Sequence, residues 1–75
     1  MNPLENFQQV HDRVLRKWMK DLEEKIDPRV WSHCDLRVTS GGMRQEMWCD
    51  GTLRGVFLIE QHDQWRYTFV AKVVM

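Results

Sequence analysis

The sequence predicts one small, soluble α+β domain over residues 1–75, an amphipathic N-terminal helix packed on an antiparallel meander of three or four strands. Three observations carry this expectation. The first third of the chain repeats its apolar residues with a helical period, the period switches to two near Val30, and turn-forming residues then recur at Ser40-Gly41-Gly42, Asp50-Gly51 and residues 61–64.

The helix has a readable beginning and end. Asn2 is a capping residue, Pro3 suits the first helical position, and Glu5 can close a capping box. At about 100° per residue, Leu4, Phe7, Val14, Leu15, Trp18, Leu22 and Ile26 fall within a stripe of roughly 120°, widened by Val10 and Met19. Asp27 and Pro28 end it, because proline has no donor with which to continue and restricts the residue before it. The expected helix covers residues 4–26.

From Val30 the alternation reads as strand. Val30, Ser32, Cys34, Leu36 and Val38 share one side, and Trp31, His33, Asp35, Arg37 and Thr39 the other. A second strand is expected over 43–49, a third from Thr52 to Glu60, and a fourth and longest from Trp65 to Val74. Asp50-Gly51 is a strong two-residue hairpin signal, since both residues tolerate positive φ. Short links favour sequential antiparallel neighbours. The likeness of the segments around Cys34 and Cys49 is read as coincidence, and no repeat, linker or low-complexity segment stands out.

Alternation also sorts the side chains onto two faces. One collects Cys34, Leu36, Val38, Met43, Met47, Leu53, Phe57, Ile59, Tyr67, Phe69, Ala71 and Val73, and is the natural seat of the helix. The other carries Trp31, Trp48, Val56, Leu58, Val70 and Val74 among Arg37, Arg44, Arg54, Arg66 and Lys72. One helix cannot cover both. A β-bulge near Gly55 would shift this assignment locally. Trp18 and Trp65 are expected to serve the core.

Composition narrows the functional classes. At 43% hydrophobic and 29% charged residues the chain is globular in type, and eleven basic residues balance eleven acidic ones. Such a chain has no overall field to gather a polyanion. Its apolar runs are far shorter than the roughly 20 residues needed to span a bilayer, so no membrane role is expected. Cys34 and Cys49 are too few for a disulfide scaffold and follow no secretory signal. A cytoplasmic protein with reduced thiols is the resulting expectation.

No motif for catalysis emerges. His33, Cys34, Cys49 and His62 are of the right types for zinc, but His33 and Cys34 are adjacent in a strand and there is no Cys-x₂-Cys knuckle. Neither metal nor cofactor is expected, and no nucleophile motif flanks either cysteine. His11 lies in the helix stripe and reads as a hydrogen-bonded histidine at the helix–sheet seam. Asp63 beside His62 reads as a turn residue before a catalytic partner. The chain is therefore expected not to be an enzyme.

What remains is apolar surface in excess of one core. Tryptophan and arginine together are enriched at binding hot spots, so Trp31, Trp48, Arg37, Arg44, Arg54, Val56 and Leu58 are the expected protein-binding residues. The partner would be a larger protein, with this chain as inhibitor, adaptor or small accessory subunit, or a second copy in a homodimer. The alternative is nucleic acid, held by the sheet aromatics and arginines or by Arg13, Arg16, Lys17 and Lys20 on the outer side of the helix. Acidic neighbours at i,i+4, as in Asp12 with Arg16, Lys17 with Asp21 and Lys20 with Glu24, are expected to compensate that helix patch internally.

Overall fold

The computed structural model describes residues 3–74, with side chains from residue 6. The expected Asn2 cap and the side-chain roles given to Leu4 and Glu5 lie outside the described residues. Helix α1 spans Pro3–Lys25 and is followed by a 3₁₀ helix at Pro28–His33. Four strands come next: β1 (Cys34–Thr39), β2 (Arg44–Cys49), β3 (Thr52–Gln61) and β4 (Tyr67–Val73). They pair antiparallel in the order β1-β2-β3-β4, so the chain is an α+β fold with its N-terminal helix packed on a meander.

The core forms where the helix stripe meets one face of the sheet. Trp18, Leu22 and Ile26 bury against Met47, Cys49, Phe57 and Ile59. Helix α1 lies mainly over β4 and β3. Its closest approach is at Gly55, whose missing side chain makes room for the helix. A Cβ there would come within 2.9 Å of Leu22 Cδ2, 3.0 Å of Trp18 Nε1 and 3.1 Å of the Lys72 carbonyl oxygen. Trp18 uses this proximity to donate its indole N–H to that same oxygen at 2.9 Å, which satisfies a polar atom within a 1% exposed side chain. Gly55→Ala is expected to destabilise the fold by about 1–3 kcal/mol, because Leu22 and Trp18 are fully buried and the added methyl overpacks the seam between them and the Lys72 carbonyl. A chemical-denaturation midpoint equal to that of the wild type would refute this packing.

Turn chemistry follows the sequence closely at two sites. Asp50 and Gly51 have φ of 50° and 76°, the left-handed pair required by the tight β2–β3 hairpin. Asp63 organises the β3–β4 turn: its carboxylate accepts the backbone N–H groups of Trp65 (2.8 Å) and Arg66 (2.9 Å) and the Arg66 guanidinium (2.6 Å). Asp63 is thus a turn-former.

Four local expectations are corrected. Residues 28–33 are helical: the Asp27 carboxylate accepts the Arg29 N–H at 2.9 Å, and Pro28 starts a 3₁₀ helix where strand alternation was expected. Trp31 therefore does not belong to the outer sheet face but packs, half-buried, against the core cluster. The Asp63 turn also absorbs Trp65 and Arg66, which shortens β4 and makes β3 the longest strand. Trp65 is 62% exposed and serves no core.

A bulge that shifts the alternation is present next to Gly55. Met47 pairs with Gly55 but Trp48 with Leu53, so Arg54 is the extra residue. Leu53 is consequently opposite Trp48 and on the face away from the helix. The expected placement of Leu53 on the helix side is overturned for this reason.

Cys34 and Cys49 form a disulfide, contrary to the expectation of reduced thiols. They are direct cross-strand partners in the β1–β2 ladder, which brings their Cα atoms to 4.0 Å. Neither sulfur is therefore a free thiolate for metal binding or nucleophilic attack.

Candidate protein-binding face

On the face of the sheet turned away from α1, β-strand alternation sets Arg44, Glu46 and Trp48 in a row along β2, with Arg37 of β1 directly opposite Glu46. Glu46 is the hub. Its carboxylate accepts Arg44 Nε at 2.9 Å through one oxygen and Trp48 Nε1 at 3.2 Å through the other. Arg37 completes the cluster from the next strand, its guanidinium carbon 4.6 Å from the centroid of the Trp48 ring. A cation over an indole at a partly exposed site contributes about 0.5–1 kcal/mol. Trp48 is half-buried, with Arg37 over its ring and Glu46 holding its indole N–H.

The same face continues across β3 and β4. Arg44 lies opposite Leu58, Glu46 opposite Val56, Leu58 opposite Val70, and Val56 opposite Lys72. Trp48, Leu53, Val56, Leu58 and Val70 are all half-buried, and none of them belongs to the core cluster or packs against it. Among the described residues, no helix lies over this side. The expected grouping of Trp48, Arg37, Arg44, Val56 and Leu58 on one face is therefore present. Arg54 sits at the bulge beside them, and Trp31 is elsewhere.

Sequence reasoning missed Glu46, although its place in the alternation Arg44-x-Glu46-x-Trp48 was a sufficient signal. The Trp48 indole hydrogen bond, and secondly Arg44, hold its carboxyl below the usual value of 4.5. A depressed folded-state pKa means that the cluster's contribution to stability is present above the unfolded value and is lost as pH falls through the folded one. Glu46→Gln should therefore be less stable than the wild type near neutral pH, with the difference vanishing in acid. Paired denaturation curves across the acidic range check this. A difference that persists or grows below the Glu46 midpoint would contradict it.

The other sequence-selected groups occupy distinct places. His11 sits at the helix–sheet seam, stacked on Phe7 and edge-on to Phe57, with Nδ1 3.1 Å from the Asp12 carboxylate. His33 is 3.5 Å from Asp50, and His62 Nε2 is 2.6 Å from Thr68 Oγ1. Among the described residues, no group of three or more His, Cys, Asp or Glu is arranged to hold a metal ion. Arg13, Arg16, Lys17 and Lys20 are all exposed on the helix. None of the three expected i,i+4 pairs closes to a contact within 4 Å, since Asp12 bonds His11 and Gln8, although, after the His11 bond, the Arg16 charge still helps to hold the Asp12 carboxyl below its usual value.

A concavity that the sequence did not announce lies at the opposite end of the sheet. A cleft of about 610 Å³ opens between α1 and the β3–β4 turn, walled by Phe7, Val10, Trp65, Tyr67 and Phe69. No helix among the described residues is long and apolar enough to cross a membrane. Comparison of the chain with protein-family models, with curated proteins and with solved structures finds no match.

Proposed function

We propose that this chain is a non-enzymatic protein-interaction protein that occupies a surface of a larger protein, as an inhibitor, adaptor or small accessory subunit. The observation that carries the proposal is the Trp48 ring, contacted by Arg37 and Glu46 on a sheet face that no helix covers among the described residues. A preorganised aromatic flanked by guanidinium groups and by Leu58 and Val56 has the composition of a binding hot spot, and little side-chain freedom remains to be lost on association. The disulfide leaves neither cysteine free for nucleophilic chemistry, in keeping with a binding role.

Nucleic acid is the second reading, favoured by one observation: Arg13, Arg16, Lys17 and Lys20 are exposed and, among the described residues, form no ion pair within 4 Å. Immobilised wild type, Trp48→Ala and a helix variant with all four basic residues changed to Ala, exposed to an extract of the source, separate the two. A protein retained by the wild type and the helix variant but lost with Trp48→Ala supports the proposal. Retention of nucleic acid, falling steeply with salt and abolished in the helix variant, would replace it.

The compartment is part of the proposal. A cytoplasmic setting, expected when the thiols were taken as reduced, is opposed by a persistent Cys34–Cys49 bond, because such bonds last in oxidising surroundings. Intact-mass measurement of the native protein before and after reduction decides it. A gain of two hydrogens on reduction places the chain in an oxidising compartment, and no gain supports the cytoplasm.

A further inference from the structure

The edge of β1 carries a pattern that the packed core does not use. Helix α1 lies over β3 and β4 and leaves the helix-side residues of β1 uncovered: Leu36 is 48% and Val38 58% exposed. Their backbone is equally unpartnered. The Asp50 N–H donates to the His33 carbonyl at 3.2 Å, which marks that pair as a hydrogen-bonded position of the β1–β2 ladder. Bonded and non-bonded positions alternate, so Asp35, Arg37 and Thr39 bond to β2, while the N–H and C=O groups of Leu36 and Val38 point to the free edge. The Cys34 N–H, which also faces away from β2, is already taken by the Trp31 carbonyl.

The geometry points to a second copy of this chain as the partner of that edge, added antiparallel about a two-fold axis through Leu36. In that register Leu36 meets Leu36 of the second copy and the two exchange both backbone hydrogen bonds. The Val38 N–H reaches the Cys34 carbonyl of the second copy, while the return bond to the Val38 carbonyl is not made, because the Cys34 N–H is held by the Trp31 carbonyl. On the other face, Asp35 stands directly opposite Arg37 of the second copy, and Arg37 opposite its Asp35. These fall at a non-hydrogen-bonded position, where side chains approach most closely. The Leu36 backbone, the Val38 N–H, and the apolar and charged side chains are thus matched in one register.

Neighbouring choices are not matched. Centring the pairing on Arg37 sets guanidinium against guanidinium, and a one-residue slip turns Leu36 to the charged face. Strand β4, the other edge, carries Lys72 as its one charged residue, so it has no opposite charge to offer a copy of itself. Pairing through β1 keeps both helices on one side and joins the two Trp48 faces into a single eight-stranded surface. This edge adjoins the Trp48 cluster and shares Arg37 with it, so Leu36→Pro and Asp35→Arg, which keep Arg37 over the Trp48 ring, are the variants that separate loss of the dimer from loss of the protein-binding face.

Light scattering and sedimentation across a concentration series test it on the intact oxidised chain. The wild type should show a monomer–dimer equilibrium. Leu36→Pro removes an N–H that only the dimer uses, at an edge position where proline is tolerated, and should weaken dimerisation by about tenfold or more with the monomer's circular dichroism retained. Asp35→Arg and Arg37→Asp, each alone, set like charges opposite one another and should also dimerise about tenfold or more weakly. Mixed together, these two variants restore opposite charges at both positions and should form a heterodimer of near wild-type affinity. A wild type that stays monomeric throughout, a dimer indifferent to these substitutions, or mixed charge variants that associate no better than each alone would overturn the inference.

Discussion

Leu22→Ala is expected to remove about 2–5 kcal/mol of folding stability. Leu22 is fully buried at the point where α1 touches the sheet, packed beside Trp18 and over Gly55. The loss combines the transfer of the deleted methyl groups with the cavity left behind, and neighbours held by other contacts cannot close that cavity. Trp18 is fixed by its hydrogen bond to the Lys72 carbonyl, and the Gly55 backbone by its pairing with Met47 and Val73. A domain of this size has little stability in reserve, total values being about 5–15 kcal/mol, so the variant should be partly unfolded under mild conditions. Urea titration reads the effect directly. A midpoint shift close to zero would mean that the helix does not seat on Gly55.

Breaking the Cys34–Cys49 bond ranks beside it. The cysteines are 15 residues apart, and a loop of that length stabilises by about 3 kcal/mol through restriction of the unfolded chain. In a domain this small the corresponding fall in melting temperature is about 10–25 °C. Alanine is the proper replacement, because Cys49 is 1% exposed and serine would bury a hydroxyl. The double variant Cys34→Ala/Cys49→Ala should melt near the reduced wild type and be indifferent to added reductant. A double variant that melts with the oxidised wild type would contradict this contribution.

How far these features could be read in advance depended on the range of the interaction. Asp50-Gly51, the 3.6-residue stripe of α1 and the Asp63 turn are set by neighbouring residues, and they stood as expected. The disulfide needed a register between strands. Cys34 and Cys49 are equidistant from the Gly41-Gly42 pair, so centring the hairpin there would have placed them opposite one another. Trp31 was misplaced because Asp27-Pro28 was taken only as a stop, although an aspartate before a proline also starts a helical turn. On the binding face, alternation placed Trp48, Arg37, Arg44, Val56 and Leu58 together. It gave no sign of the Arg54 bulge's consequence for Leu53, which follows from the β2–β3 register. Trp65 was assigned to the core by its apolar ring alone, whereas the hydrogen bonds of Asp63 hold its backbone in the turn.

The most direct test of the protein-binding face is the affinity of Trp48→Ala for a partner captured by the wild type, measured by titration calorimetry beside its urea midpoint. The ring lies on the sheet face opposite the core cluster, so truncation should weaken binding by about 2 kcal/mol or more, roughly thirtyfold, with a smaller loss of folding stability. Stability is to be compared at several protein concentrations, because self-association couples to folding. Undiminished affinity in a folded Trp48→Ala protein would contradict the assignment of this face as the binding surface.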